Sequence, residues 1–119
     1  MPPLSKPPDS TASKRTEVIY IFWTCRDYQE AKKLVHGLLD QRLIACASIF
    51  PGVESIYRWE GKIEESQEVK VILKTTAKHF NVVQRYIQQH CSYEVPEIVQ
   101  VDIAEGNPSY LSWVVQETS

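Results

Sequence analysis

The sequence predicts an α+β fold with the element order β-α-β-β-α-β-α. Three observations carry this prediction. Apolar residues switch between runs of period two and stripes spaced three and four apart, so strands and helices alternate along the chain. Two long extended runs in the middle are separated only by Glu60-Gly61, the signature of a hairpin. The chain has 119 residues, 43% hydrophobic and 24% charged, which fits one globular domain.

The run Val18-Ile19-Tyr20-Ile21-Phe22-Trp23 is β-branched and aromatic, and apolar on both sides, as a central strand is. Thr24 to Asp27 then turns the chain. Asp27 is a helix N-cap, with Glu30 three residues on to complete a capping box. Ala31, Leu34, Val35, Leu38 and Leu39 recur at helical spacing, so this helix lies on a sheet. Leu43 to Phe50 is extended again. Pro51-Gly52 marks an edge, bulge or bend, after which Val53 to Trp59 resumes the strand.

Past Glu60-Gly61, the partner strand starts at Lys62, with Val69, Val71 and Leu73 alternating with Lys70, Ile72 and Lys74. These two strands are long for the domain and are expected to project beyond it. Thr75 and Thr76 are candidate N-caps for a second helix, with Phe80, Val83 and Ile87 on one stripe and an end near His90. Ile98 to Ala104 reads as the last strand, with Val99, Val101 and Ile103 facing one way. Asn107-Pro108 starts a terminal helix striped by Leu111, Val114 and Val115.

The first six elements form the split βαβ of a ferredoxin-like sandwich. Both long helices cover one sheet face, and the short C-terminal helix follows. The other face is too apolar for water, so a partner subunit is expected to cover it. Residues 1–16 hold four of the seven prolines and one large aliphatic residue, Leu4, and read as a mobile tail. Residues 17–119 are the folded domain, with 10 basic against 14 acidic residues. That balance argues against nucleic acid as a partner. No run of apolar residues approaches membrane-spanning length, and the first 16 residues lack a signal-peptide core. With three cysteines, an odd number, and no C-x-x-C pair, the expected compartment is the reducing cytoplasm.

Several groups carry potential chemistry. His90 and Cys91 are adjacent soft donors, suited to copper or zinc. Equally, Cys91 ends a helix and His90 is solvated. Cys46 sits within Leu-Ile-Ala-Cys-Ala, as a buried small hydrophobe does. Cys25 lies beside a helix N-terminus, a place that lowers a thiol pKa. His36 and His79 read as rim histidines without ligand partners. Tyr93, Glu94 and Glu97 place two carboxylates beside a phenol, for binding a ligand or for salt bridges at an interface, within reach of Lys70, Lys74 or Tyr57 of a neighbouring subunit. The chain shows no paired nucleophile and base, no P-loop and no G-x-G-x-x-G, so no enzyme activity is expected.

Four segments resemble one family in order and spacing: Leu43 to Ala47, Ser55 to Ile63, Tyr93 to Glu97 and Tyr110 to Trp113. The chain from Val18 to Thr118 is similar to the CutA proteins, the divalent-cation tolerance family. The resemblance implies a tight homotrimer, related in architecture to the PII signalling proteins. In it three sheets pack around an axis and the hairpins pair with neighbouring strands. It implies a role in copper and divalent-cation tolerance, with copper as the expected ion. In family members with a proposed copper site, a first-strand cysteine and two consecutive histidines match Trp23, His90 and Cys91 here. The counterpart of Cys46 has also been considered as a ligand. The resemblance places a small-ligand pocket near Tyr93, Glu94, Glu97, Trp59 and Trp113, with Lys70 as a further candidate. The expected function is metal or small-ligand binding at subunit junctions. The alternative is a structural or PII-like signalling trimer with indirect metal effects.

Overall fold

The computed structural model describes residues 16–119; the expected tail over 1–16 lies outside the described residues except for Thr16, whose hydroxyl donates to Ile103 O at 2.7 Å. The elements are β1 (Val18–Cys25), α1 (Tyr28–Asp40), β2 (Cys46–Trp59), β3 (Lys62–Thr76), α2 (Phe80–His90), β4 (Ile98–Asp102) and α3 (Pro108–Glu117). One antiparallel sheet has the order β2-β3-β1-β4, the ferredoxin-like arrangement that the sequence predicts.

The sheet has two distinct faces. Ile19, Ile21, Trp23 and Cys25 of β1 and Val69, Val71 and Leu73 of β3 point toward the helices. There they meet Ala31, Leu34, Val35 and Leu38 of α1 and Val83 and Ile87 of α2, all buried. Leu39, the fifth apolar position of α1, is exposed. A smaller cluster of Val18, Ala45 and Val114 gathers Tyr20, Tyr110 and Leu111, so α3 covers one end of the opposite face.

The rest of that opposite face is open. Register puts Phe22 between Ile72 and Val99, and Tyr20 between Lys74 and Val101. Strand alternation therefore lines Phe22, Ile72, Val99 and Val101 along one surface. Val99 and Val101 are exposed, as is Phe50 on β2 opposite Lys70. Lys70 and Lys74 lean over the rings of Phe22 and Tyr20, at 5.2 Å and 5.6 Å.

The β2–β3 hairpin sets the long dimension of 56 Å. Fourteen and 15 residues at about 3.3 Å each give strands about 50 Å long. Its outer half has Ile56 and Ile63 exposed. The register shift between Phe50 and Val53 is the bulge that Pro51-Gly52 predicts, with Gly52 at φ 74°. Glu60 and Gly61 have φ of 51° and 80°, both positive as a type I′ hairpin needs. Gly61→Ala adds a Cβ to a backbone that L-residues avoid. It is expected to cost about 1 kcal/mol in denaturant melts.

Three local expectations change. β2 begins at Cys46, not Leu43. Arg42 is at φ 57°, Leu43 N–H donates to Leu38 O at the end of α1, and Thr75 Oγ1 donates to Leu43 O, so this stretch serves as the helix exit. Thr75 and Thr76 do not cap α2. They finish β3, and a single 3-10 turn over Ala77–His79 leads into the helix with no side-chain cap. The capping box of α1 is half formed. Asp27 Oδ1 accepts from Glu30 N–H at 2.8 Å, but the Glu30 carboxylate accepts from the N–H and hydroxyl of Ser92. Glu30 thus ties the α2–β4 loop to the start of α1.

Candidate functional site

The outer half of the β2–β3 hairpin and the loop 91–97 flank a groove of about 450 Å³. Thr24 from β1, Ser55, Tyr57 and Trp59 from β2 and Ser66 and Glu68 from β3 form one side. Tyr93, Glu94, Val95 and Glu97 form the other. Two features position the loop. Glu30 holds Ser92, and Thr24 N–H donates to Glu97 O at 3.3 Å.

Two carboxylates define the chemistry of the groove. Glu68 is 8% exposed and accepts from the Tyr93 hydroxyl at 2.5 Å. Burial of the phenol, followed by its bond to Glu68, pushes the Tyr93 pKa well above the ordinary value, so Tyr93 stays a donor. Glu97 Oε1 accepts from Thr24 Oγ1 at 2.5 Å and from Lys70 Nζ at 2.9 Å. Partial burial works to raise the Glu97 pKa, but the bonds from Thr24 and Lys70 outweigh it and hold the carboxyl below its usual range.

That shift fixes a pH dependence. A folded-state pKa below the unfolded value contributes stability that is present above the unfolded pKa and lost as pH falls through the folded one. The Glu97 contribution is therefore intact above its ordinary value of 4.5 and disappears in more acidic solution. Glu97→Gln is expected to flatten this part of the acid limb in thermal melts, while Glu94→Gln leaves it in place.

The structure gathers most of the predicted ligand residues and separates the rest. Tyr93, Glu94, Glu97 and Trp59 line the groove. Lys70 stands at its edge, paired with Glu97 of its own chain. Trp113 is elsewhere, on α3, with its ring 6.0 Å from Tyr110. Glu68, Thr24, Ser55 and Ser66 also belong to the groove. Strand alternation held a signal for two of them: Glu68 and Lys70 share a face, and Thr24 pairs with Lys70 across the ladder.

Of the soft donors, Cys46 is not brought to His90 and Cys91. His90 Nδ1 lies 2.7 Å from Tyr86 O, with its ring stacked on Tyr86 at 4.3 Å. Cys91 Sγ donates to Tyr93 O at 3.5 Å, and burial raises its pKa. Cys46 lies near α3, 3.7 Å from the Tyr110 hydroxyl, opposite Lys74 in the ladder. Among the described residues no group of three or more His, Cys, Asp or Glu is arranged to hold a metal ion. Within one chain these residues do not fit a copper site.

The expectation for Cys25 is corrected. It is buried at 1% exposure, and desolvation, then the Glu30 charge, push its thiol up to about 12. His79 has a partner: its Nε2 lies 2.6 Å from Thr118 O. Among the described residues no helix is long and apolar enough to cross a membrane.

Comparison with known proteins gives concordant matches. Residues 19–117 match the family model described as CutA1 divalent ion tolerance protein. Protein CutA of Mus musculus is 36% identical over 118 residues, covering 98% of this chain and 67% of its own. The divalent-cation tolerance protein CutA of Escherichia coli O45:K1 is 37% identical over 106 residues, covering 89% of this chain and 94% of its own. The crystal structure of CutA from Xylella fastidiosa superposes with a TM-score of 0.85 at 38% identity, over 87% of this chain and 100% of that one.

Proposed function

The chain belongs to the CutA1 divalent ion tolerance family, and from that premise we propose a protein that works by binding rather than turnover. In this reading it is a cytoplasmic homotrimer whose ligand sites lie at subunit junctions, near the groove of Tyr93, Glu68 and Glu97. The observation that carries the reading is the open sheet face. Val99 is 46% exposed and Val101 39%, on the same surface as Phe22 and Ile72. Two further copies of the chain are the occupants proposed for it, because the projecting hairpin also leaves strand edges that need pairing. Closure by threefold symmetry would bring each projecting hairpin, and so each groove, beside a neighbour.

Copper is the ion proposed for His90 and Cys91. Two donors do not close a site, so a neighbouring subunit must supply the others. The test is a Cu(I) competition titration under reducing conditions on the parent chain and on Cys91→Ala. The expected result is one ion per chain in the parent and at least tenfold weaker binding in the variant. Equal affinity in both would remove this pair from the account. The absence of a three-donor group in the described chain favours one other reading, a signalling or structural trimer with indirect metal effects.

A further inference from the structure

The groove holds an unbalanced charge. Glu68 is 8% exposed as a residue, and its Oε2 accepts from a neutral phenol, Tyr93. A carboxylate on so enclosed a side chain ordinarily faces a cation or several donors. Among the described residues no cation lies within ion-pair distance of it. The nearby Lys70 ammonium is committed to Glu97. Glu94 adds a further negative charge to the same wall. The groove therefore has a net demand for positive charge that its own residues leave unmet.

The lining narrows what can meet it. Tyr57, Trp59 and Tyr93 supply three aromatic side chains beside the carboxylates. Aromatic faces attract cations within about 6 Å and also take up aliphatic stems. A hard divalent ion instead needs several oxygens gathered at about 2.0–2.6 Å, and the carboxylates here are not so gathered. The volume of about 450 Å³ suits a small molecule.

We propose that this groove binds a small organic cation bearing N–H donors, a protonated alkylamine or alkylguanidinium. Glu68 is its principal counter-ion, Glu94 adds long-range attraction, and Tyr57 and Trp59 cover its aliphatic part. Glu97 stays with Lys70 and fixes the loop. This inference rests on reading the groove as the ligand site, and it names the class of ligand.

The test is calorimetric titration of the full chain with 1,4-diaminobutane at low ionic strength, where screening is weak. Zinc is titrated in parallel, and light scattering is recorded on the same samples. The expected result is saturable diamine binding at one per chain, weakened about tenfold or more by Glu68→Gln, the loss of one charge-assisted contact. Trp59→Ala, at a half-exposed position outside the core, is expected to weaken it severalfold with the fold intact. Equal diamine affinity in the parent and Glu68→Gln would overturn the proposal. So would a silent diamine beside zinc binding that Glu68→Gln abolishes, although the groove would then remain the ligand site. If neither binds while the assembly is intact, the groove reading falls as well.

Discussion

Replacing Trp23 with alanine is expected to destabilise the protein by about 3–5 kcal/mol, the largest loss of any single core substitution here. Trp23 is fully buried in the middle of β1 and is the largest wholly buried side chain. It packs among Val71 of β3 and the apolar stripes of α1 and α2, so its removal opens a cavity where three elements meet. Among the described residues its indole Nε1 has no hydrogen-bond partner. The ring is therefore held by packing rather than by its N–H, and Trp23→Phe is expected to cost clearly less, about 1–2 kcal/mol. Urea unfolding at one fixed protein concentration checks both values, since the proposed assembly would contribute to stability by mass action. Equal losses in the two variants would contradict this account of how the ring is held.

Replacing Val101 with aspartate is expected to dissociate the assembly without unfolding the subunit. Val101 lies on the open face, away from the helix-side core, so an isolated subunit tolerates a charge there. In the proposed trimer the same charge is buried against apolar neighbours without a partner, at a cost of several kcal/mol per subunit. The expected readout is a fall in particle mass from about 41 kDa, three chains of 13.7 kDa, to one chain. The circular dichroism of the helices and sheet should persist. His36→Asp, at an exposed position on α1, is expected to leave the mass unchanged.

Much of the fold was legible because its signals are local and periodic. The apolar run of β1, the apolar stripe of α1 and the Glu60-Gly61 turn each name one element. Together they leave few alternatives for the order. Pro51-Gly52 announced the bulge for the same reason. Misreadings arose where a tertiary contact outweighed the local cue. Thr75 and Thr76 look like caps but belong to β3, where Thr75 is engaged by Leu43 O. Glu30 has capping-box spacing, yet Ser92, 62 residues away, offers it two donors. Cys25 sits at a helix start, where spacing suggests reactivity, but burial and the Glu30 charge reverse that effect.

The candidate site was legible in part. Tyr93, Glu94 and Glu97 stand together in the chain, so their grouping was visible. Glu68 lies 25 residues from Tyr93, and only the register of β3 against its neighbours and the path of the loop after α2 bring the two together. Trp113 was grouped with the others through the resemblance, and within one chain α3 places it beside Tyr110 rather than along the groove. Cys46 shares donor chemistry with His90 and Cys91 without sharing their location, because it starts β2 beside α3 while they stand at the end of α2.

The central claim is that the open face of the sheet is an interface between copies of this chain. Sedimentation equilibrium of the unmodified protein over a range of micromolar concentrations tests it most directly. The account predicts one species of about 41 kDa, three times the mass of the 13.7 kDa chain, across that range. A stable 13.7 kDa monomer, folded with Val99 and Val101 in water, would contradict it.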